Sequence, residues 1–288
     1  MKALKISAKD LGQLELENYC PRCMSIKMAV DRRLPYQTFP GIFSSLDALN
    51  KKMVESYFDS FGCAPPCFEG IPDSVGYEKA EMTEVQDTTT GIHVKGEPDG
   101  VFKLSDGGIA IVDYKTARYT KGQDHLLPMY NVQLNVYNYL RVESGKSAAN
   151  HLFLIYLEPM THREDGAYHE YLSDEGYHLD FNAKVVELEL RDEDYVPSLL
   201  TRLKKLCLLK TAPASAEGCK ECKLLDLLVG VVDAEIGEME AGAVRDMLTM
   251  VQTSKGTVED AIWRIRSFAA GLARERAKKL ARSGLSAA

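Results

Sequence analysis

The amino-acid sequence predicts an α/β fold, and three observations carry that prediction. Short apolar or alternating runs of strand length recur at His93 to Lys103, Ile109 to Val112, His151 to Leu157 and Val186 to Leu190. Segments of helical character alternate with them or follow them: one from about Ser44 to Phe58, one started by Pro128 and one from about Tyr195. The chain has 288 residues, 45% of them hydrophobic. That is enough to bury a substantial core in one large domain, or in one domain with a helical appendage.

Taken in order, Ser7 followed by Asp10 has the form of a capping box for a first helix leading to Cys20. The helix near Ser44 to Phe58 gives way to a loop in which Pro65 and Pro66 separate Cys63 from Cys67. Those two thiols read as a buried or reactive pair, with a second metal contact as the alternative. Ser105-Asp106-Gly107-Gly108 is a turn cluster between the first two strand-like runs. After Pro128 the helix places Gln133 and Tyr137 one turn apart on one face. Val186 to Leu190 alternates as a half-exposed edge strand does. In the helix from Tyr195, Asp192, Glu193 and Asp194 stand near the start and Lys204, Lys205 and Lys210 near the end, the order that suits the helix dipole. Cys207 falls in an apolar run and is expected in the core. The remainder reads as helices, so the expected organisation is a domain over 1–224 and a helical extension over 225–288.

The chemistry is concentrated at Pro98-Asp99 and Asp113-Tyr114-Lys115. The turn cluster puts these segments on neighbouring strands of one hairpin. Strand side chains alternate, so Asp113 and Lys115 point the same way and Asp99 can meet them from the paired strand. Two carboxylates ending a buried strand repel each other and lose hydration, which a divalent cation between them relieves. Magnesium or manganese suits such oxygen ligands, and the backbone carbonyl of Tyr114 can add a third. A bound ion would polarise a phosphodiester and acidify a water, while Lys115 holds that water or stabilises the developing charge. Gln133 and Tyr137 can hydrogen-bond a phosphate or the lysine. A surface hairpin with an ordinary Asp/Lys ion pair, beside a helix with an exposed Gln, is the alternative.

Gly96-Glu97-Pro98-Asp99, Asp113-Tyr114-Lys115 and Gln133-Leu134-Asn135-Val136-Tyr137 together resemble, in order and spacing, the RecB-like branch of the PD-(D/E)XK nuclease superfamily. The resemblance is strongest over residues 90 to 140. It implies a restriction-endonuclease-like mixed sheet flanked by helices, divalent-metal catalysis and a DNA substrate, in repair or defence. It assigns catalytic roles to Asp99, Asp113, Lys115, Gln133 and Tyr137, and the metal to Asp99, Asp113 and Tyr114. Many members carry a His on an earlier helix after a glycine. Here Gly41-Ile42-Phe43-Ser44-Ser45-Leu46 leads to Asp47 instead, and Asp47 or Glu55 can substitute as metal ligand or stand as a solvated helix acid. The absent His and the acidic charge keep open a catalytically inactive DNA-binding or scaffolding subunit.

Seven cysteines include Cys20-Pro21-Arg22-Cys23 and Cys219-Lys220-Glu221-Cys222, two knuckles whose spacing favours a structural metal site. An odd total and no secretory signal argue against a disulfide framework and for a cytoplasmic chain. In the family resembled, a four-iron four-sulfur cluster often ties the N-terminal helix to the C-terminal segment, usually with one early and three late cysteines. Here the division is two and two, so the expected centre is that cluster or zinc; a metal-stapled protein-interaction module is a further alternative.

Net charge is −7, but residues 261–288 hold seven Lys or Arg and one Glu, a local +6 that leaves −13 on the rest. Ile262, Ile265, Phe268, Ala269 and Leu272 give that segment an apolar helical stripe with basic residues on other faces. It fits either a helix following a DNA backbone or a packed helix whose basic end complements its own dipole. No apolar stretch is long enough to span a membrane. The sequence has no Gly-x-x-x-x-Gly-Lys-Ser/Thr loop, so a helicase or a CRISPR or repair partner is expected to be a separate chain.

Overall fold

The computed structural model describes residues 4–30, 40–120 and 125–226. The chain divides into two compact units, one of residues 1–33 with 37–214 and one of residues 34–36 with 215–288.

In the first unit β1 (Lys5–Ser7) runs directly into α1 (Ala8–Gly12), and the Ser7 hydroxyl oxygen accepts the Asp10 N–H at 3.1 Å, as the capping pattern predicts. α2 (Pro21–Val30) and α3 (Gly41–Phe61) follow. α3 is longer at both ends than expected. It stops at Gly62, which turns left-handed at φ 68° and donates its N–H to the Phe58 carbonyl. Then come β2 (Ser74–Glu78), β3 (Thr83–Gln86), β4 (His93–Gly96), β5 (Gly100–Leu104) and β6 (Ile109–Lys115). α4 (Leu127–Glu143) has Pro128 in its first turn and leads to β7 (His151–Pro159). A small hairpin, β8 (Leu172–Ser173) with β9 (Gly176–Tyr177), precedes β10 (Phe181–Leu188) and α5 (Tyr195–Cys207).

The main sheet has the order β10-β7-β6-β5-β2, with β6 and β7 parallel and the other pairs antiparallel. A crossover through α4 is what joins the parallel pair, because parallel neighbours cannot be linked by a tight turn. Both faces are covered, so β6 and β7 are apolar almost throughout. On one face Ile111, Leu152, Leu154 and Tyr156 pack with Val132, Val136 and Leu140 of α4 and Leu199, Leu200 and Leu203 of α5. On the other, Val112, Tyr114, Phe153 and Ile155 pack with Val54 and Phe58 of α3. Mixed α/β architecture with a mixed sheet between helices is therefore what the chain forms.

His93 to Lys103 is not one strand. β4 belongs to a separate three-stranded sheet, β1-β4-β3, and the chain leaves it at Glu97-Pro98 before entering the main sheet as β5. Pro98 has no N–H to give a ladder, so pairing cannot continue through it. The edge strand β10 ends at Leu188, two residues short of expectation, because the Glu189 carbonyl is taken instead by the side-chain amides of Asn131 (2.8 Å) and Asn135 (3.0 Å). Cys207 closes α5 half-buried against the edge of the core, and Cys63 and Cys67 are exposed, which leaves accessible thiols and not buried ones of the two expected readings.

Of the second unit, residues 215–226 are described, helical over 220–226. The expected helices beyond, including the basic amphipathic segment, lie outside the described residues. Among the described residues no helix is long and apolar enough to cross a membrane.

Candidate active site

β6 supplies the centre of the site through its two-residue period. Ala110, Val112 and Tyr114 face the α3 side, which leaves Ile111, Asp113 and Lys115 toward α4. The β5–β6 register pairs Gly100 with Val112, and continuing it one step sets Asp99 opposite Asp113. The Asp99 N–H donates to the Val112 carbonyl at 3.2 Å, so the pairing does extend that far. The break at Pro98 thus places Asp99 at the mouth of the β5–β6 hairpin.

Asp113 is 2% exposed and is held from three directions. The Lys115 ammonium forms a close ion pair with Oδ2. Gln133 Nε2 donates to Oδ1 at 3.2 Å and to the Tyr137 hydroxyl at 2.7 Å, and that hydroxyl lies 3.5 Å from the same Oδ1. Because the hydroxyl accepts from Gln133, its own proton is free to point at Asp113. Gln133 Oε1 faces the Lys115 ammonium at 3.4 Å. The Tyr130 ring covers that ammonium at 4.4 Å, a cation–π contact. Gln133 and Tyr137, one helical turn apart, therefore meet the acid and the lysine of β6 together.

Asp99 is held differently. Its Oδ2 accepts the Tyr114 N–H at 2.8 Å, and its Oδ1 meets the Lys51 ammonium of α3 at 2.7 Å. Lys51 also touches Asp47 Oδ2, 3.1 Å away and one turn back on the same helix. Glu55 lines the small cleft beside Asp99 and Lys51. Tyr114 gives Asp99 its backbone N–H, and its ring packs in the core on the α3 side beside Phe68.

The electrostatics follow from this packing. Burial and the neighbouring Asp113 charge push Asp99 up to about 6, against the opposing pull of Lys51 and the Tyr114 N–H. For Lys115, burial favours loss of the proton but the Asp113 carboxylate outweighs it, and the net shift is upward. Burial and Asp113 also raise the Tyr137 phenol far above its ordinary value, so it stays protonated.

The residues fit a hard divalent cation. Two carboxylates on adjacent strands are close enough for one to raise the other's pKa. Asp113 Oδ2 is fully buried and among the described residues meets only the Lys115 ammonium, which leaves its second lone pair for an ion. Magnesium and manganese take all-oxygen ligand sets of this kind.

Each cysteine knuckle is compact within its own unit. The Cys20 and Cys23 sulfurs lie within 4.8 Å of each other at the start of α2, Cys20 being buried. The Cys219 and Cys222 sulfurs are likewise within 4.8 Å in the second unit, Cys222 being buried. That is the spacing of two ligands on one ion.

Lys51 and Tyr130 were not legible as site residues. Lys51 shows in the sequence as an i,i+4 partner of Asp47, and nothing local says that its helix crosses beside Asp99. Tyr130 lies one turn before Gln133 on α4, so a reading of that helix face could have included it.

A profile of the PD-(D/E)XK nuclease superfamily matches residues 12–226. No curated protein sequence matches the chain. Among solved structures, the chain is similar to SSO0001, at 15% identity over 74% of this chain and 80% of that one, with a TM-score of 0.37. It is also similar to LHK-Exo, solved in complex with dAMP, at 12% identity over 80% of this chain and 92% of that one, with a TM-score of 0.31. Neither likeness is close enough to bear on this chain's chemistry.

Proposed function

We propose that this chain, which belongs to the PD-(D/E)XK nuclease superfamily, is a divalent-metal-dependent DNA nuclease of the RecB-like branch that hydrolyses phosphodiester bonds. The observation that carries the reading is the buried Asp113 carboxylate, gripped by Lys115, Gln133 and Tyr137 and facing a second carboxylate, Asp99. A structural ion pair does not need a second buried acid beside it.

The Asp99 and Asp113 carboxylates and the Tyr114 carbonyl would hold magnesium or manganese. The ion, when bound, supplies a Lewis acid for the phosphate and a more acidic water. The Asp113 carboxylate keeps Lys115 an ammonium, so it acts as a donor and not as a general base: it orients the attacking water and stabilises the negative charge that builds on the phosphate oxygens. Gln133 and Tyr137 are positioning residues. Their donors fix the Asp113 carboxylate, and Gln133 Oε1 steadies the lysine that Asp113 pairs with. Tyr130 limits water access to the same ammonium.

The two cysteine knuckles are proposed to share one zinc ion or a four-iron four-sulfur cluster, which would staple the domain and contribute to its folding, because the four thiolates are far apart in sequence. A separate helicase or a CRISPR or repair chain is the proposed partner, in the cytoplasm.

Digestion of plasmid and of single-stranded DNA with Mn²⁺ tests the reading. The wild-type chain should cut, and Asp113→Ala and Lys115→Ala should each lose cleavage by orders of magnitude while keeping the wild-type circular dichroism spectrum. Equal cutting by wild type and Asp113→Ala, or none by the wild type with Mn²⁺ or Mg²⁺ on either DNA, overturns it.

A further inference from the structure

Lys51 sits where a cation belongs. Its ammonium is 2.7 Å from Asp99 Oδ1, and on its other side Asp47 Oδ2 is 3.1 Å away. The two carboxylates differ in setting: the Asp99 side chain is 12% exposed and that of Asp47 45% exposed. Lys51 and Asp47 share one helix, so a rotation within the flexible lysine stem carries the ammonium from the dry carboxylate to the wet one without moving the backbone.

We propose that Lys51 is an internal competitor for the catalytic metal ion, occupying Asp99 in the metal-free protein and withdrawing onto Asp47 when the ion binds. This rests on the reading of Asp99 and Asp113 as metal ligands. An ammonium and a dication repel strongly when both press on one poorly hydrated carboxylate, so loading Asp99 displaces the lysine. Asp47 gives the displaced charge a partner, which offsets part of the loss. The lysine lets two buried acids coexist without metal, at the expense of affinity for it. The acid at position 47 then acts on metal binding through Lys51 and need not touch the ion. Lys51 is thus a positioning residue whose effect appears in metal affinity before any DNA is present.

The test is Mn²⁺ binding by the full chain, read from the electron paramagnetic resonance signal of the free ion at pH 8.5, where proton competition at Asp99 does not mask the effect. Lys51→Met should tighten the binding that depends on Asp113 by about tenfold, the scale of one lost charge-assisted contact. Asp47→Asn alone should weaken it by about threefold, and should have no effect in the Lys51→Met background, since the coupling runs through the lysine. Lys51→Gln keeps a donor for Asp99, should also tighten binding, and stands in if Lys51→Met does not fold. Unchanged or weaker binding in both lysine variants overturns the inference, as does an Asp47→Asn effect that persists undiminished without Lys51. If Asp113→Asn leaves wild-type Mn²⁺ binding intact, or none is found, the metal reading itself fails and the inference falls with it.

Discussion

The raised pKa of Asp99 makes the metal-free protein less stable as pH rises through a defined window. The group goes from an ordinary value of 3.8 to about 6 in the fold. Below 3.8 it is protonated in both the folded and the unfolded chain and contributes nothing. Between the two values the unfolded chain has released a proton that the folded chain keeps, so stability falls with increasing pH, by about 1.4 kcal/mol per unit. Above about 6 the carboxylate is ionised in both states and the full cost remains. The rise from 3.8 to about 6 makes that cost about 3 kcal/mol, with the opposing Lys51 contact already included. The perturbation is Asp99→Asn, which removes the titration. Urea unfolding followed by far-UV circular dichroism, from pH 4 to pH 8 in chelator, should show wild type losing about 2.5 kcal/mol relative to the variant and then levelling off. Added Mn²⁺ should restore stability to wild type above pH 6 and progressively less below it, because the ion needs the ionised ligand. A wild-type-minus-variant difference that stays flat across this range refutes the account of Asp99 as a buried acid beside a second charge.

Three further outcomes follow from the same geometry. Gln133→Leu strips donors from Asp113 and from the Tyr137 hydroxyl, leaving buried polar atoms unsatisfied, and should cost about 2 kcal/mol in urea unfolding along with most of the cleavage. Gly96→Ala would bring a Cβ to 2.7 Å from the Tyr137 ring and 3.2 Å from the Ala8 Cβ, so it should cost about 1–3 kcal/mol and lower Mn²⁺-dependent cleavage by moving Tyr137. On the proposal that the two knuckles share one centre, Cys20→Ser and Cys222→Ser should each release the metal or iron found by elemental analysis of anaerobically purified protein, and full retention in both would refute it.

How much could be read beforehand depended on the range of the interaction. The two-residue period of β6 was enough to put Asp113 and Lys115 on one face, and the four-residue spacing of Gln133 and Tyr137 was enough to pair them on α4, since both relations are set by local backbone geometry. The break at Pro98 had a local signal too, the missing N–H, but the apolar alternation on either side concealed that β4 and β5 enter different sheets. Lys51 had no local signal pointing to Asp99. Its contact depends on where α3 crosses the sheet, which is decided by Val54 and Phe58 packing on Phe102 and Tyr77, and such packing is tertiary. Cys207 meets the core only in part for a related reason: an apolar run is consistent with burial, but Leu208 and Leu209 just beyond it are exposed.

Charge at the site bears on how an acidic protein would hold DNA. The chain carries −7, and its field at long range repels a polyanion. Asp47, Glu55, Asp99 and Asp113 with Lys51 and Lys115 make a cluster of net −2 without metal, and a divalent ion brings that to zero. At physiological salt, charges beyond about 8 Å are largely screened, so a phosphate in the site responds to this local sign more than to the whole chain. On the proposed function, metal loading does more than supply a Lewis acid: it cancels the net negative charge that repels phosphate at the mouth of the β5–β6 hairpin, and the cation itself gives a phosphate a partner there. Hold on a phosphate then grows with metal occupancy, and the metal-free protein, its acids outnumbering its two lysines, has little hold on a DNA backbone at this site.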